Sequence, residues 1–256
     1  MSIESVLQNL KNKNIVSLLK QRLKKKTNAA FAYNIWAKTY DEENKKGNVT
    51  IFYNDLLIEK MLTETTLQGQ VVCDFGTGTG RHYSSLMKLN PKRLFGCDVS
   101  SGMLEKLKAK YPDAETHLIS DHELNFVKDS EVDIIFSSLT IGHINHLEKY
   151  LTEWNRILKP SGEILLTFFH EEFANLKTAR SFKTAEGKLF IIESYKHEIA
   201  KMKKMFSSLN WDTLFFKEES IDERVEPLLK KINALHVYQN IKTKKIVGGF
   251  ILKKKP

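Results

Sequence analysis

The segment CDFGTGTGRH, residues 73–82, joins the end of an apolar run to the start of a helical one through a loop carrying Gly76, Gly78 and Gly80. Before it, QVVCDF reads as a strand; after it, RHYSSLMKLN reads as a helix and RLFGCD, ending at Asp98, as the next strand. The alternation continues with SGMLEKLKAKY as helix, AETHLI and EVDIIFSS as strands, HLEKYLTEWNRIL as a helix stopped near Pro160 and Gly162, and EILLTFF as a strand. Strands that are near-continuous apolar runs, rather than alternating apolar and polar, are buried on both faces. The pattern predicts the α/β class, a doubly wound and mostly parallel sheet with helices on both sides. Beyond it the reading is KLFIIESY as a strand outside the main sheet, KHEIAKMKKMFSSLN as helix, and WDTLFFKEES and KKIVGGFILKK as late strands that pair antiparallel at the sheet edge.

At 256 residues and 41% hydrophobic content, the chain can bury a full core without a staple. The two cysteines, Cys73 and Cys97, each close an apolar run just before an aspartate, which reads as reduced core thiols and a cytoplasmic setting. No apolar run approaches membrane-spanning length, and MSIESVLQNLKNKNIVSLL lacks the features of a secretion signal. The net charge of +9 is dispersed in short lysine runs, which read as solvated faces more readily than as a nucleic-acid or membrane surface. Residues 1–26 read as a basic helix that could close a lid, pair two subunits in a homodimer as opposed to a monomer, or rest peripherally on a membrane. The division is a helical N-terminal extension or lid over 1–49 and one domain over 50–256, with a helix-rich insertion at about 171–208.

In a doubly wound sheet ligands bind where the strand order reverses, at the carboxyl ends of the strands. A glycine loop there permits close backbone approach. A dinucleotide fingerprint beginning at Gly76 requires glycine at 81, where Arg81 stands, and GRH does not supply the lysine and hydroxyl of a phosphate loop. Asp74, ahead of the loop, suits a cationic or amino-bearing ligand. Asp98, about twenty residues beyond the glycines, is placed to accept ribose hydroxyls. Asp121, just past the third strand, could accept from an exocyclic amine. A nucleoside that carries both a positive charge and an amino-acid portion answers to all three, which is S-adenosylmethionine.

Four ordered segments, VVCDFGTGTGRH, LFGCDVSSGMLEKLKAK, DIIFSSLTIGHI and RILKPSGEILLTFF, resemble the class I S-adenosylmethionine-dependent methyltransferases. The likeness runs over roughly residues 30–169 and is nearest to the small-molecule subgroup with the ubiquinone/menaquinone C-methyltransferases and malonyl-carrier-protein O-methyltransferases. It implies a seven-stranded Rossmann-like methyltransferase fold, S-adenosylmethionine as cofactor and S-adenosylhomocysteine as product. It also implies that Asp74, Gly76, Thr77 and Gly78 surround the methionine portion, that Asp98 holds the ribose, and that Val99 and Met103 flank the adenine. Asp121 and His122 follow near the adenine amine, Arg81 beside the methionine carboxylate, and Ser138 at the end of the fourth strand. AYNIWAKTYD is similar to the segment that closes over the cofactor, making Tyr33 and Tyr40 candidate lid residues. The chain departs from the pattern at His122 and Asn125 in the third motif, and at Ser161 where LKPGG is common.

Methyl transfer needs alignment of the nucleophile and exclusion of water, with a base only for a weak, protonated nucleophile. His143, in SSLTIGHINH after the fourth strand, is the candidate base; it reads somewhat more readily as a cap of the next helix or the filler of a polar gap. No third ligand accompanies His143 and His146, so no metal is expected. The segment SSLTIGH holds neither the Pro-Pro-aromatic tetrad of nucleic-acid amino methyltransferases nor the cysteine of cytosine-C5 enzymes. The expected acceptor is a small organic molecule or one tethered to a carrier. RNA ribose or cap methylation and a non-catalytic, cofactor-binding accessory role remain as alternatives.

Overall fold

The computed structural model describes residues 26–174, 181–184 and 186–256. The basic helix expected over residues 1–26 lies outside them, apart from Lys26. Three helices come first: α1 (Ala29–Trp36), α2 (Tyr40–Lys46) and α3 (Val49–Thr63). Then follow β1 (Val71–Phe75), α4 (Tyr83–Met87), β2 (Arg93–Asp98), α5 (Ser101–Lys110), β3 (Glu115–Leu118), β4 (Val132–Ser138), α6 (Leu147–Ile157) and β5 (Leu158–Phe169). The later strands are β6 (Ser181–Lys183), β7 (Leu189–Ile191), β8 (Trp211–Ser220) and β9 (Lys245–Lys254).

Seven strands form one sheet in the order β3-β2-β1-β4-β5-β9-β8. The five from β3 to β5 are mutually parallel, and β9 runs antiparallel to both β5 and β8. The Rossmann-like arrangement and the antiparallel edge are as the sequence predicts. The chain leaves β1 toward β2 and β3 on one side and returns to β4 and β5 on the other. The carboxyl ends of β1, β2 and β4 therefore surround the point of reversal, where a cleft opens.

Alternation along each strand divides the core in two. Cys73 and Phe75 of β1, Ile135 of β4, and Ile164, Leu166 and Phe168 of β5 pack on one face with Trp154 of α6. Val72, Ile134, Phe136 and Leu165 pack on the other with Tyr53, Leu57 and Met61 of α3. Both faces being covered explains why these strands read as unbroken apolar runs. The helices begin where polar side chains take orphan amides: Asn28 Oδ1 accepts from the Phe31 N–H, Asn48 Oδ1 from those of Thr50 and Ile51, and Ser100 Oγ from that of Met103.

Two segments differ from the expectation. β5 begins at Leu158, not at Glu163, because Leu158 already pairs with Val132 before a register shift in β4. The stretch 171–208, read as helix-rich, holds among its described residues a hairpin of β6 and β7 between a helix at Glu171–Ala174 and another at Ile199–Ser208. KLFIIESY thus contributes a strand outside the main sheet, as read, with a partner the sequence did not indicate.

Candidate active site

The glycine loop is tied to the end of β2 through the Gly76 and Thr77 N–H groups, which both donate to the Cys97 carbonyl, at 2.8 and 3.1 Å. Gly76 has φ of +75°, and a Cβ there would lie 2.2 Å from Thr140 Oγ1, so only glycine fits between β1 and the loop after β4. Gly78 has φ of +56° and no atom within 4 Å of where its Cβ would point. Its bare side faces a cavity of about 610 Å³, within the usual range of roughly 300–1,000 Å³ for ligand sites. Gly80 serves packing: a Cβ there would stand 2.9 Å from Leu107 of α5.

Asp98 is in the cavity wall. Its Oδ2 accepts from the Gly78 N–H at 2.9 Å and its Oδ1 from the Ser100 N–H at 2.9 Å, which orients the carboxylate and ties β2 to the glycine loop. Burial pushes its pKa up to about 6, against the lowering pull of those amides. Val99, Met103, Ile119 and Tyr150 line the cavity with it.

Asp74, expected to face the ligand, lies behind the loop and outside the wall. Thr77 Oγ1 donates to its Oδ2 at 2.7 Å, and burial raises its pKa to about 7. Thr77 is likewise buried away from the wall, so Asp74 and Thr77 shape the loop from beneath. Asp121 and His122 also fall outside the wall. The Asp121 carboxylate is 62% exposed and accepts from the Tyr150 hydroxyl at 3.1 Å, so Tyr150 is the group between it and the cavity.

Arg81 lines the cavity but already holds a carboxylate, pairing through Nη1 with Asp55 of α3. Its Nη2 donates to Ser138 Oγ at 3.2 Å, which also accepts from Asn54 Nδ2 at 3.0 Å. Asn54 Oδ1 in turn accepts from Thr167 Oγ1 at 2.7 Å. These bonds fix α3 across the ends of β4 and β5; neither Asn54 nor Asp55 stands in a motif or spacing that marks it in the sequence.

Above the loop lies a cover built from segments far apart in sequence. The Thr27 N–H donates to the Ile191 carbonyl and the Glu193 N–H to the Thr27 carbonyl, both at 2.9 Å. Trp36 of α1 stacks on Phe182 of β6 at 4.9 Å, and Phe182 on Phe190 of β7 at 5.3 Å. Asn34 Oδ1 accepts from Ser100 Oγ at 2.8 Å and from the Gly102 N–H at 2.9 Å, docking α1 on the start of α5. Asp41 of α2 accepts from Thr79 Oγ1 of the glycine loop at 2.6 Å. Tyr33, Trp36 and Tyr40 consequently all line the cavity.

His143, in a 3₁₀ turn at Ile141–His143, lies in the wall with its imidazole between two partners. Nδ1 is 3.0 Å from the Glu193 carbonyl, which can only accept, so Nδ1 carries the proton. Nε2 is then the acceptor in the neutral ring, and the Tyr33 hydroxyl donates to it at 2.9 Å. His82 is buried with its pKa held well below the usual histidine value, first by burial, and His170 pairs with Glu218 at 2.5 Å; neither reaches the wall. Among the described residues no helix is long and apolar enough to cross a membrane.

Residues 73–166 match the methyltransferase domain family. A malonyl-[acyl-carrier protein] O-methyltransferase from Yersinia pestis is 36% identical over 103 residues, 40% of this chain and 38% of its own length. A methyltransferase from Emericella nidulans is 28% identical over 204 residues, covering 67% of this chain and 71% of that protein. The chain thus aligns with well under half of the first relative. An S-adenosylmethionine-dependent methyltransferase structure from Mesorhizobium loti superposes with a TM-score of 0.59 at 14% identity over 74% of this chain and 93% of its own, a likeness of fold.

Proposed function

We propose, from the premise that residues 73–166 form a class I S-adenosylmethionine-dependent methyltransferase domain, that the protein moves a methyl group to O, N or C of a small organic or carrier-tethered acceptor. The observation that carries the reading is the pairing of Gly78's open side with the Asp98 carboxylate in one cavity wall. Those residues fit the cofactor: Asp98 would accept from the ribose hydroxyls, Val99, Met103 and Ile119 would flank the adenine, and Gly78 would let the backbone approach the amino-acid portion. Arg81 would neutralise the methionine carboxylate, sharing its guanidinium with Asp55. Asp74 would act indirectly, by holding Thr77 and the loop.

When bound, S-adenosylmethionine supplies an electrophilic methyl on a sulfonium. The chain's own tasks are to align the acceptor, exclude water and accept a proton where the nucleophile carries one. The cover of α1 and the β6–β7 hairpin excludes water. In its neutral form, with the proton on Nδ1, His143 would present Nε2 toward the Tyr33 hydroxyl, so a proton from the acceptor would pass to His143 directly or through Tyr33. The enclosed site and its aromatic wall favour a small acceptor over an RNA strand. The buried free thiols Cys73 and Cys97 accord with a cytoplasmic setting.

The test is a calorimetric titration of S-adenosylmethionine into wild type and Asp98→Ala. Losing a charge-assisted hydrogen bond costs about 1.5–3 kcal/mol, a loss of roughly tenfold or more in affinity. Failure of the folded wild type to bind would overturn the reading.

A further inference from the structure

The stretch 193–197 is held against the turn after β4 at successive points. The Glu193 carbonyl accepts from His143 Nδ1 at 3.0 Å, the Tyr195 N–H donates to the Gly142 carbonyl at 2.8 Å, and His197 Nε2 donates to the carbonyls of Ile141 and Ile144, each at 3.0 Å. Between Tyr195 and His197 stands Lys196, which lines the same cavity as His143. Its two chain neighbours are held to the turn that carries His143, and Glu193, three residues earlier, holds the imidazole itself.

The carboxyl, guanidinium and ammonium side chains among the described lining residues are those of Asp98, Arg81 and Lys196. The proposed cofactor uses the first two, and Arg81 is further compensated by Asp55. What remains for the acceptor is a wall with one cation, no carboxylate, and the hydroxyl groups of Ser181, Ser194 and Tyr195. The Lys196 ammonium faces Glu171 Oε2 at 3.4 Å, with the two side chains 44% and 33% exposed. A half-exposed pair of that length is weak and readily exchanged for a better-placed anion. A cationic acceptor would meet Lys196 with no carboxylate of the acceptor-side wall to offset it.

Resting on the cofactor reading above, we infer that the acceptor carries an anionic group, a carboxylate or a phosphate ester, and that Lys196 is the residue that binds it, displacing Glu171. Lys196 then sets substrate class, and the stretch that carries it also fixes His143, so anion recognition and proton acceptance are built from one piece of chain.

The experiment saturates the protein with S-adenosylhomocysteine, which prevents turnover, and titrates it with hexanoate, hexyl phosphate, hexanamide and hexylamine. Wild type is expected to bind hexanoate or hexyl phosphate about tenfold or more tightly than hexanamide, with hexylamine weakest. The stronger of the two anions identifies carboxylate or phosphate as the group recognised. Lys196→Met should erase the preference and Lys196→Arg retain it. Glu171→Gln should move the other way, strengthening anion binding about two- to threefold by removing the competing carboxylate. Opposite effects at two adjacent residues are not what a merely structural pair would give. Equal binding of hexanoate, hexyl phosphate and hexanamide, no binding of any probe, a preference for hexylamine, or a preference that survives Lys196→Met would each overturn the inference while leaving the cofactor reading intact. Absence of S-adenosylhomocysteine binding would take both down.

Discussion

Because Asp98 titrates in the fold at about 6, cofactor affinity should depend on pH in a way that can be computed before it is measured. A protonated Asp98 can no longer accept from both ribose hydroxyls, so the ligand selects the ionised form. With an apparent pKa of about 6 the carboxylate is about nine-tenths ionised at pH 7 and about one-tenth at pH 5, so affinity should fall about tenfold between them. The amino-acid portion of the ligand keeps its charges over that interval, so the slope belongs to the protein. Calorimetry at pH 6, in buffers of different ionisation enthalpy, should show about half a proton released per ligand bound. Stability does not confound the assay. The folded pKa lies above the unfolded value of 3.8, so the fold favours the neutral acid, and what is lost on ionisation is lost as pH rises from about 4 through about 6. Lowering pH to 5 therefore does not unfold the protein through this group. Asp98→Asn should bind weakly and without pH dependence over the same interval. A tenfold slope that persists in Asp98→Asn would refute the reasoning and point to Asp74 behind the loop, whereas Asp74→Asn should retain the slope.

Gly78→Ala should cost only about 1 kcal/mol of stability, from the left-handed backbone, yet weaken S-adenosylhomocysteine binding by tenfold or more, since its methyl enters the cavity. Gly76→Ala, driven against Thr140, should cost several kcal/mol, and the two are separated by denaturant midpoints beside binding isotherms. Tyr33→Phe and His143→Asn should each lower kcat about ten- to a hundredfold with an acceptor that loses a proton, and the double variant should be little worse than the poorer single one; multiplicative losses would separate the two roles. Asn34→Ala, outside the cavity wall, should raise the rate of S-adenosylhomocysteine release about tenfold with little change in association, followed by the fluorescence of Trp36. An unchanged release rate would show that α1 does not limit escape.

The sheet was legible because β1, β2 and β4 are buried on both faces and so appear as apolar runs, and because Asp98 closes one of them at a strand end. The Asp74 position was legible, but its use was not: whether a carboxylate points into a cleft or beneath a loop depends on Thr77, whose hydroxyl gives no periodic signal. The packing role of Gly80 was not legible either, since its partner Leu107 lies on α5. Of the late hairpin only KLFIIESY was legible and not its partner β6, and Tyr150 and Lys196 left no mark. Their importance comes from contacts such as Phe182 with Trp36 and Glu193 with His143, which join residues dozens to more than a hundred positions apart.

That distribution has a consequence for specificity. The loop, Asp98 and its cavity neighbours Val99, Met103 and Ile119 belong to residues 73–166, the part shared with the methyltransferase domain family. The cover does not: Tyr33, Asn34 and Asp41 precede it, and Phe182, Glu193 and Lys196 follow it. Yet Asn34 bonds Ser100, whose N–H holds Asp98, and Glu193 fixes the tautomer of His143. The two outer segments are also bonded to one another through Thr27 and the strand end at Ile191. Rearranging either one to admit a different acceptor would therefore disturb Asp98 or His143. Acceptor choice and cofactor retention should then be coupled, and substitutions in 181–197 should change cofactor release as well as acceptor preference.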